Sequence, residues 1–335
     1  MPPLVWNVGR CRSFTDDPAD QPIGGSRVIL ARMCRILYKA VSPPTPSPPM
    51  KIQKAVITAA SPGQHTLPLQ RLVDRQGVER TALELVLSEV SEAGIEEICV
   101  VIQPGDERAY QQAAGEHAGR VCFVEQPAPL GYGDALRRSK SFVKDSHFLH
   151  LVGDHLYLSQ VARCCAAQLI ETAVQNECSV SAVQPTRESM LPYFGTVSAS
   201  RVHNASYLYK INQVVEKPTP TFAEQELIVA GLRQGTYLCF FGMHILPPEI
   251  MEILNRLLES ADDPKSITLS AALNELASAK KYLAFEVQGK RYNIGIQYGV
   301  LVAQLAIALA GQDRDRVLTD LVELLATTPQ GCSHD

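Results

Sequence analysis

The sequence predicts an α/β fold built on a doubly wound, mixed and mainly parallel sheet, with extra antiparallel strands in its C-terminal half. Between residues 54 and 183, short apolar runs alternate with helical patterns. Strands that are apolar throughout are buried on both faces, so helices must cover both sides of a parallel sheet. After residue 185 the strands follow one another without an obligatory helix between them, which favours antiparallel strands that continue the same sheet.

The first half of the pattern contains five strands joined by four helices. The predicted strands are Ala55–Thr58, Ile98–Ile102, Val121–Glu125, Phe148–Val152 and Val180–Val183. The predicted helices are Thr81–Ala93, Asp106–His117, Gly133–Val143 and Leu158–Asn176. Thr81 and Glu84 have the spacing of a capping box and Gly94 follows as a terminator, so the first helix has a marked start and end.

The second half contains four further strands and closes with helices. The predicted strands are Gly195–Ser198, Tyr207–Glu216, Thr236–Gly242 and Tyr282–Val287. The predicted helices are Pro248–Ser260, Leu269–Ala279, Gln297–Leu309 and Arg314–Ala326. We therefore expect one α/β domain over residues 50–310, followed by a C-terminal helix and tail over residues 311–335.

Residues 1–49 differ in composition from the rest of the chain. They hold 9 of the 22 prolines, and the run Ser42–Pro49 favours extended polyproline geometry. They carry a net charge of +3, which leaves −7 for the remainder. We expect a disordered tail, with folding that begins at Met50. A transit peptide is the alternative, but three aspartates and the lack of a long amphipathic helix disfavour it.

Charge and hydropathy exclude two classes of partner. The formal net charge of −4 argues against a nucleic-acid-binding surface, which needs clustered Lys and Arg. The longest apolar stretch, Gly299–Gly311, is interrupted by Gln304 and is shorter than the roughly 18 residues that span a bilayer. We expect a small-molecule partner. A homo-oligomer is compatible with the sequence, but the oligomeric state depends on surface complementarity.

The nine cysteines show no metal-binding or disulfide pattern. They lack CxxC spacing, and Cys99 and Cys122 lie inside apolar runs where a thiol behaves as a small hydrophobe. Without a secretory signal, a reducing cytoplasm is the expected compartment.

Ligands of open α/β sheets bind beyond the carboxyl ends of the strands, so the loops there are the first candidates for a binding site. The loop Ala59–Arg71 contains small residues that let backbone amides approach an anion, although an ordinary strand-to-helix loop fits equally well. In a later loop, the amide of Gln126 suits a nucleobase edge. Gly131–Gly133 resembles a dinucleotide motif but follows the third strand without the expected acidic residue, which disfavours NAD.

Two acidic positions at strand ends are further candidates. Asp154 comes directly after a buried strand, where one or two carboxylates together with phosphates suit Mg²⁺; a helix cap is the alternative. Glu216 and Lys217 end another strand side by side. Adjacent strand residues face opposite sides, so we do not expect a simple ion pair: one would address hydroxyls and the other phosphate.

Taken together, these segments resemble the sugar-phosphate nucleotidyltransferases in order and spacing over about residues 51–310, and among them the bacterial UTP-glucose-1-phosphate uridylyltransferases. The matching segments are Lys54–Ile57, Gln126 with Gly131–Ala135, Gly153–Asp154, Tyr193–Gly195 and Val215–Pro218. The resemblance implies a Rossmann-like nucleotidyltransferase fold. It also implies a Mg²⁺-assisted attack of a sugar 1-phosphate oxygen on the α-phosphate of an NTP, with release of pyrophosphate.

The resemblance also assigns roles by position. The nucleotide would be lined by Ala59, Ala60, Ser61 and Gly63, and its base contacted by Gln126 and Gly131. Gly195 and Glu216 would contact sugar hydroxyls, Lys217 the sugar phosphate, and Asp154 would hold Mg²⁺.

The chain departs from the family pattern at charged positions. His65 stands where the family has the arginine that contacts the triphosphate, the downstream lysine has no clear equivalent, and Asn293 replaces a second metal-binding carboxylate. Two hypotheses follow. An active transferase would use Arg71, His65 and Lys217 as its catalytic cations, with Mg²⁺ on Asp154 and weakly on Asn293. The alternative is a non-catalytic nucleotide-sugar-binding or regulatory homologue. We favour the enzyme with UTP and glucose 1-phosphate, because Asp154, Glu216 and Lys217 persist together.

Overall fold

A nine-stranded mixed sheet is the centre of the fold. The structure is a computed structural model that describes residues 50–327. The tail predicted at residues 1–49 and the chain after residue 327 lie outside the described residues.

The strands of the described chain fall into the large sheet and two small antiparallel pairs. They are β1 (Lys54–Thr58), β2 (Arg71–Val73), β3 (Glu79–Thr81), β4 (Glu97–Ile102), β5 (Val121–Glu125), β6 (Phe148–Val152), β7 (His155–Ser159), β8 (Ser179–Arg187), β9 (Gly195–Arg201), β10 (Leu208–Glu216), β11 (Thr236–Leu246), β12 (Tyr282–Glu286) and β13 (Gly289–Asn293). The large sheet has the order β5-β4-β1-β6-β11-β8-β12-β10-β9, and the small pairs are β2 with β3 and β7 with β13.

The α-helices connect these strands and cover the large sheet. They are α1 (Ala82–Glu92), α2 (Glu107–Ala113), α3 (Tyr132–Arg137), α4 (Lys140–Val143), α5 (Cys165–Asn176), α6 (Pro220–Glu226), α7 (Glu249–Ser260), α8 (Leu269–Ala279), α9 (Gly299–Leu309) and α10 (Arg314–Thr327). No helix among residues 50–327 is both long enough and apolar enough to cross a membrane.

The direction of the strands changes along the sheet. β1 pairs in parallel with β4 and β6, and β4 pairs in parallel with β5. β11 runs antiparallel to β6, β8 and β9, and β10 runs antiparallel to β9 and β12. The predicted mixed α/β sheet is therefore confirmed, with the antiparallel strands contributed by the C-terminal half.

Two hydrophobic cores lie on the two faces of this sheet. Ala55 and Ile57 belong to one core, with buried residues of α1 and α5, whereas Val56 belongs to the other, with α7 and α8. All three residues have 0% exposed surface. Because successive side chains of a strand point to opposite faces, a continuous apolar run is what a strand covered on both sides requires.

The predicted boundaries of α1 are confirmed in detail. The Thr81 hydroxyl accepts the Glu84 backbone N–H at 3.0 Å, and the Glu84 carboxylate accepts the Thr81 N–H at 2.7 Å. This capping box satisfies two donors that a helix start leaves free.

Three predicted helices are divided or have a boundary more than two residues from the predicted one. Residues 155–159 form β7, which pairs with β13, so the helix predicted from Leu158 begins at Cys165. The helix predicted over Gly133–Val143 is divided into α3 and α4. The helix predicted to reach His117 ends at Ala113 and is followed by a 3₁₀ helix. The first error has a clear cause: the partner of β7 lies more than 100 residues away, and no local pattern reveals it.

Buried histidines near the centre of the sheet are held neutral. His150 on β6 is completely buried; its Nδ1 donates to the Val56 carbonyl at 3.0 Å and its Nε2 accepts the Tyr132 hydroxyl at 2.6 Å. Burial lowers the pKa of His150 to about 4. His244 stacks on His150 with ring centroids 5.9 Å apart, and burial lowers its pKa as well.

We expect acid to destabilise the fold in part through His150. Its pKa is about 4 in the folded chain and about 6.5 when unfolded, so protons bind the unfolded chain more readily as the pH falls from 6.5 towards 4. This one residue should lower the free energy of unfolding by about 2 kcal/mol between pH 7.5 and pH 5. Urea unfolding followed by circular dichroism measures it.

The variant His150→Gln keeps a polar side chain that does not titrate. Its free energy of unfolding should therefore fall less between pH 7.5 and pH 5 than that of the wild type. Glu89, whose pKa burial raises to about 7, acts in the opposite direction in both proteins. An equal loss in wild type and variant would contradict the assignment to His150.

Candidate functional site

A cleft of about 490 Å³ opens at the carboxyl ends of the central strands. Ten of the predicted site residues line it. They are Ala59, Ala60, Ser61, Gln126, Gly131, Asp154, Gly195, Glu216, Lys217 and Asn293. The fold thus brings together residues that lie up to 234 positions apart in the sequence.

The floor of the cleft is formed where the loops after β1 and β6 touch. Thr58 and Val152 are register partners, so the two loops leave the sheet side by side. The Gly153 N–H donates to the Thr58 carbonyl at 2.9 Å, and a Cβ on Gly153 would lie 2.9 Å from that same oxygen. Only a residue without a side chain permits this approach, which places Asp154 next to the loop that starts at Ala59.

Gln126 and Gly131 form one end of the cleft. The Gln126 Nε2 donates to the Gly131 carbonyl at 3.1 Å and to the Asp134 carboxylate at 3.0 Å. Because both partners are acceptors, the orientation of this amide is fixed, and its carbonyl oxygen is left as an acceptor. Gly131 has φ +93°, and a Cβ there would lie 2.9 Å from the Lys265 carbonyl. Any other residue would be strained at this position.

Asp134 supports this end of the cleft as a charged group. Burial by itself would raise its pKa, but hydrogen bonds from Arg137 at 2.6 Å, from Gln126 and from Arg138 outweigh burial and lower the pKa. An ionised Asp134 is therefore an anchor for Gln126.

Asp154 and Asn293 meet at the middle of the cleft. Asn293 is the register partner of His155, and the Ile294 N–H donates to the Asp154 carbonyl at 2.9 Å. Burial lowers the pKa of His155 to about 4, the neighbouring Asp154 raises it less, and Arg291 lowers it further. His155 is thus neutral at pH 7, and its Nδ1, 3.3 Å from Asp154 Oδ1, brings no positive charge to that carboxylate. The Asn293 side-chain oxygen accepts the Gly295 N–H at 2.7 Å.

Gly195, Glu216 and Lys217 form the end of the cleft opposite Gln126. Gly195 and Glu216 are register partners on β9 and β10, and Glu216 accepts the Ser270 hydroxyl at 2.5 Å. Lys217 follows the strand in the left-handed region, with φ +45°, and its N–H donates to the Phe194 carbonyl at 3.3 Å.

The expectation that Glu216 and Lys217 do not pair was wrong. Lys217 Nζ lies 4.0 Å from Glu216 Oε1. The alternation of side chains holds only within a strand, and the left-handed backbone at Lys217 turns its side chain back towards Glu216.

Three predicted site residues do not line the cleft. Arg71 starts the β2–β3 hairpin, is mostly exposed and pairs with Glu79. His65 Nδ1 lies 2.7 Å from the carboxylate of Asp106. Gly63 lies in the same turn as His65 and is also absent from the cleft lining. Arg71 is directed away from the cleft because it pairs with the other strand of the β2–β3 hairpin. The sequence pattern did not reveal this hairpin.

Lys265 lines the cleft although the sequence offered no motif for it. It belongs to the 3₁₀ helix Pro264–Ser266, whose backbone lies against Gly131. Within the described chain, the lysine and arginine side chains that line the cleft are those of Lys217 and Lys265. Tyr193 and Phe194 also line the cleft; the sequence marked them only as part of the matching segment Tyr193–Gly195 and gave them no role. Ser270 was missed, because its position in the cleft depends on contacts between distant segments.

Comparison with known proteins agrees with this geometry. The nucleotidyl transferase family model matches residues 54–295. The chain belongs to the nucleotidyl transferase family. It is 27% identical over 286 residues to UTP-glucose-1-phosphate uridylyltransferase 1 of Streptococcus pyogenes serotype M3, covering 77% of this chain and 90% of that one. The enzyme of Streptococcus pneumoniae serotype 4 is 26% identical over 302 residues, covering 82% and 96%.

Solved structures of such enzymes share the fold. A UDP-glucose pyrophosphorylase in complex with UDP-glucose superimposes with a TM-score of 0.62 at 21% identity, covering 76% of this chain and 98% of that one. The UTP-bound enzyme of Acinetobacter baumannii gives 0.63 at 23% identity, covering 82% and 100%. The expected resemblance to the sugar-phosphate nucleotidyltransferases and the expected fold are therefore confirmed.

The replacement Gly195→Ala should destabilise the protein, because the new Cβ would lie 2.8 Å from the Phe240 ring and 2.9 Å from the Ser270 hydroxyl. Forced contacts of this kind in a packed site lower stability by about 1–3 kcal/mol. Chemical denaturation measures the effect.

Gly119→Ala is the matched control, since a Cβ there meets nothing within 4 Å. Equal stabilities of the two variants would show that the backbone at Gly195 has more room than the structure indicates.

Proposed function

We propose that this protein is a nucleotidyltransferase that joins an NTP, preferably UTP, to a sugar 1-phosphate, preferably glucose 1-phosphate, and releases pyrophosphate. The observation that carries the proposal is the arrangement of one cleft. Gln126 and Gly131 lie at one end, Glu216 and Lys217 lie at the other, and Asp154 lies between them. The names of the relatives in Streptococcus supply the preferred substrates.

The fixed amide of Gln126 favours uracil as the base of the nucleotide. Its NH₂ group is already used by Gly131 and Asp134, so what remains is a carbonyl oxygen, an acceptor. The N3–H of uracil is a donor on the edge of the ring and suits this acceptor, whereas the corresponding ring nitrogen of adenine or cytosine is itself an acceptor.

The reaction would be an in-line substitution at the α-phosphorus of the NTP. An oxygen of the sugar phosphate forms the new P–O bond, and the bond from the α-phosphorus to the bridging oxygen breaks, so that pyrophosphate leaves with the electron pair. The sugar phosphate is already ionised at pH 7, so no side chain needs to remove a proton. Catalysis then consists of positioning and of offsetting negative charge, which Lys217 and Lys265 would provide at the two ends.

The residues at the middle of the cleft fit Mg²⁺. Asp154 accepts no hydrogen bond from a described side chain that would occupy its carboxylate, and Asn293 keeps a second lone pair on its side-chain oxygen. One carboxylate plus phosphate oxygens is the donor set that Mg²⁺ prefers. Bound there, the ion would offset charge on the phosphates. Among residues 50–327 no group of three or more His, Cys, Asp or Glu is placed to hold a metal, so phosphate oxygens and water would complete its coordination.

A second candidate function is nucleotide-sugar binding without turnover. It is favoured by the position of Arg71 and His65, which contact Glu79 and Asp106 instead of lining the cleft. Two lysines match the two phosphates of a nucleoside diphosphate sugar better than the charge of an NTP and a sugar phosphate together.

Release of pyrophosphate from UTP and glucose 1-phosphate in the presence of Mg²⁺ tests the proposal. Removal of charge at the reacting groups, by Asp154→Ala or Lys217→Ala, should lower kcat by about 10²–10³-fold, as loss of a transition-state charge partner does. Lys290→Ala removes an exposed lysine of β13 and should leave the rate unchanged.

Wild-type protein that releases no pyrophosphate with any NTP and sugar phosphate, but binds UDP-glucose in calorimetry, would establish the second candidate. If the protein shows neither turnover nor binding of UDP-glucose, both functions are refuted.

The variant Asn293→Asp should bind Mg²⁺ more tightly, because it restores a second charged ligand beside Asp154. We expect the Mg²⁺ concentration for half-maximal rate to fall roughly tenfold, the effect of about 1.4 kcal/mol. A titration of the rate with Mg²⁺ measures this value. The control Asn204→Asp adds the same charge at an exposed position outside the cleft lining and should leave the Mg²⁺ concentration for half-maximal rate unchanged. If this concentration is unchanged in both variants, the ion does not bind at Asn293.

A further inference from the structure

Buried polar groups without partners are concentrated in the lining of the cleft and next to it. In the described part of the chain, six buried side-chain nitrogen or oxygen atoms have no hydrogen-bond partner, and four of them belong to His155 and Arg291. Both side chains lie against Phe194, with ring centroids of His155 and Phe194 5.9 Å apart. Natural proteins leave few buried polar groups unpaired, so a concentration at one place needs a reason.

Arg291 is the more unusual of the two. It is 7% exposed, and its Nη2 donates to the Thr186 hydroxyl at 3.2 Å while Nε and Nη1 donate to nothing in the described chain. No carboxylate of residues 50–327 lies within ion-pair distance of it. Burial lowers its pKa to about 10, with Cys239 and Tyr157 opposing the change, so the guanidinium is charged at pH 7.

A buried charge without a counter-charge does not stabilise a fold. Replacing such a group by an apolar side chain of similar volume is often neutral or stabilising. Packing alone therefore does not account for an arginine at this position, since a methionine would fill the same space.

The guanidinium is stacked on an aromatic ring of the cleft. Its central carbon lies 3.8 Å from the centroid of the Phe194 ring, close enough for a strong cation–π contact in a desolvated site. Phe194 in turn lines the cleft, so the ring separates the charge from the ligand space.

The backbone of Phe194 is joined to the sugar end of the cleft. Its carbonyl accepts the Lys217 N–H at 3.3 Å and the Thr196 hydroxyl at 3.4 Å, and Gly195 follows it directly. Lys217 has a left-handed backbone, which is unfavourable for a residue with a side chain and persists only where neighbours hold it. The hydrogen bond to Phe194 is one such restraint.

We propose that Arg291 is a positioning residue: by stacking on Phe194 it fixes the segment that holds Lys217 and Gly195 in place for the sugar phosphate. The inference rests on the proposed function for its ligand, but the mechanical link from Arg291 through Phe194 to Lys217 does not need a substrate. The strand that carries Arg291 also carries Asn293, so the same element supports the middle of the cleft.

Hydrogen exchange of the free protein tests the link directly. Arg291→Met keeps the volume and removes the charge, and the Lys217 amide should then exchange roughly tenfold faster, as expected for the loss of a desolvated cation–π contact. Lys290→Met is the matched control: it removes a positive charge from the neighbouring, exposed position of the same strand. Unchanged exchange at Lys217 in Arg291→Met, or an equal increase in Lys290→Met, overturns the proposal.

Stability distinguishes positioning from a structural role. The melting temperature of Arg291→Met should equal or exceed that of wild type, because an unpaired buried charge is removed. A lower melting temperature together with general acceleration of exchange would show that Arg291 merely stabilises the fold.

Arg291→Gln provides an independent test should the methionine variant not fold. The neutral amide makes no cation–π contact with Phe194 but can still donate to the Thr186 hydroxyl, so the same faster exchange is expected at Lys217. Wild-type exchange in this variant also overturns the proposal.

Kinetics test the consequence for the ligand. Arg291→Met should raise KM for the sugar 1-phosphate roughly tenfold and leave KM for the NTP within about twofold. Phe194→Leu should have the same effect, and the double variant should be no worse than either single one, because both break the same link. If wild type shows no turnover, the proposed function fails, but the exchange experiment still decides the role of Arg291. If wild type is active and Arg291→Met raises both KM values equally, the positioning role is contradicted and the proposed function is not.

Discussion

The burial of β1 on both faces and between two parallel neighbours is the constraint on which the rest of the structure depends. Ala55, Val56 and Ile57 have no exposed surface, and the strand shares its edges with β4 and β6. Parallel strands need helical crossovers, which cover both faces with the two cores. They also end at the same edge of the sheet, so the loops that follow β1, β4 and β6 meet there. The Gln103 side chain, just after β4, donates to the Ala60 carbonyl and joins two of these loops.

The distribution of charge is the second constraint on the cleft. Several arginines are engaged by carboxylates away from its lining: Arg80 contacts Asp74 and Glu116, and Arg137 and Arg138 contact Asp134. These pairs anchor loops and helix starts, as the one at Asp134 orients Gln126. The cleft is left with Lys217 and Lys265 at its ends and with Arg291 stacked on the lining residue Phe194. A site for phosphorylated ligands in this acidic chain therefore depends on a small number of well-placed cations.

Local signals predicted the elements that local physics determines. The strands Val121–Glu125 and Phe148–Val152 and the helix Leu269–Ala279 have the predicted bounds. The β7–β13 pair was missed because its two strands are more than 100 residues apart in the sequence and are too short for a convincing alternation. The predicted start of α5 is wrong for the same reason, since the apolar residues of β7 resemble the first turn of a helix.

The sequence by itself determined which loops follow the parallel strands, and thereby that Gln126 and Asp154 would share one cleft, because parallel strands present their carboxyl ends at one edge. Glu216 and Lys217 lie at the end of the antiparallel strand β10, and only the family resemblance predicted that they belong to the same cleft. Only the tertiary structure decided which cations reach that cleft. Arg71 is turned away by a hairpin, Lys265 is brought in by a 3₁₀ helix that packs on Gly131, and Arg291 is placed under Phe194 by a strand pairing. A flexible charged side chain carries no periodic signal, and its reach depends on contacts between segments far apart in the chain.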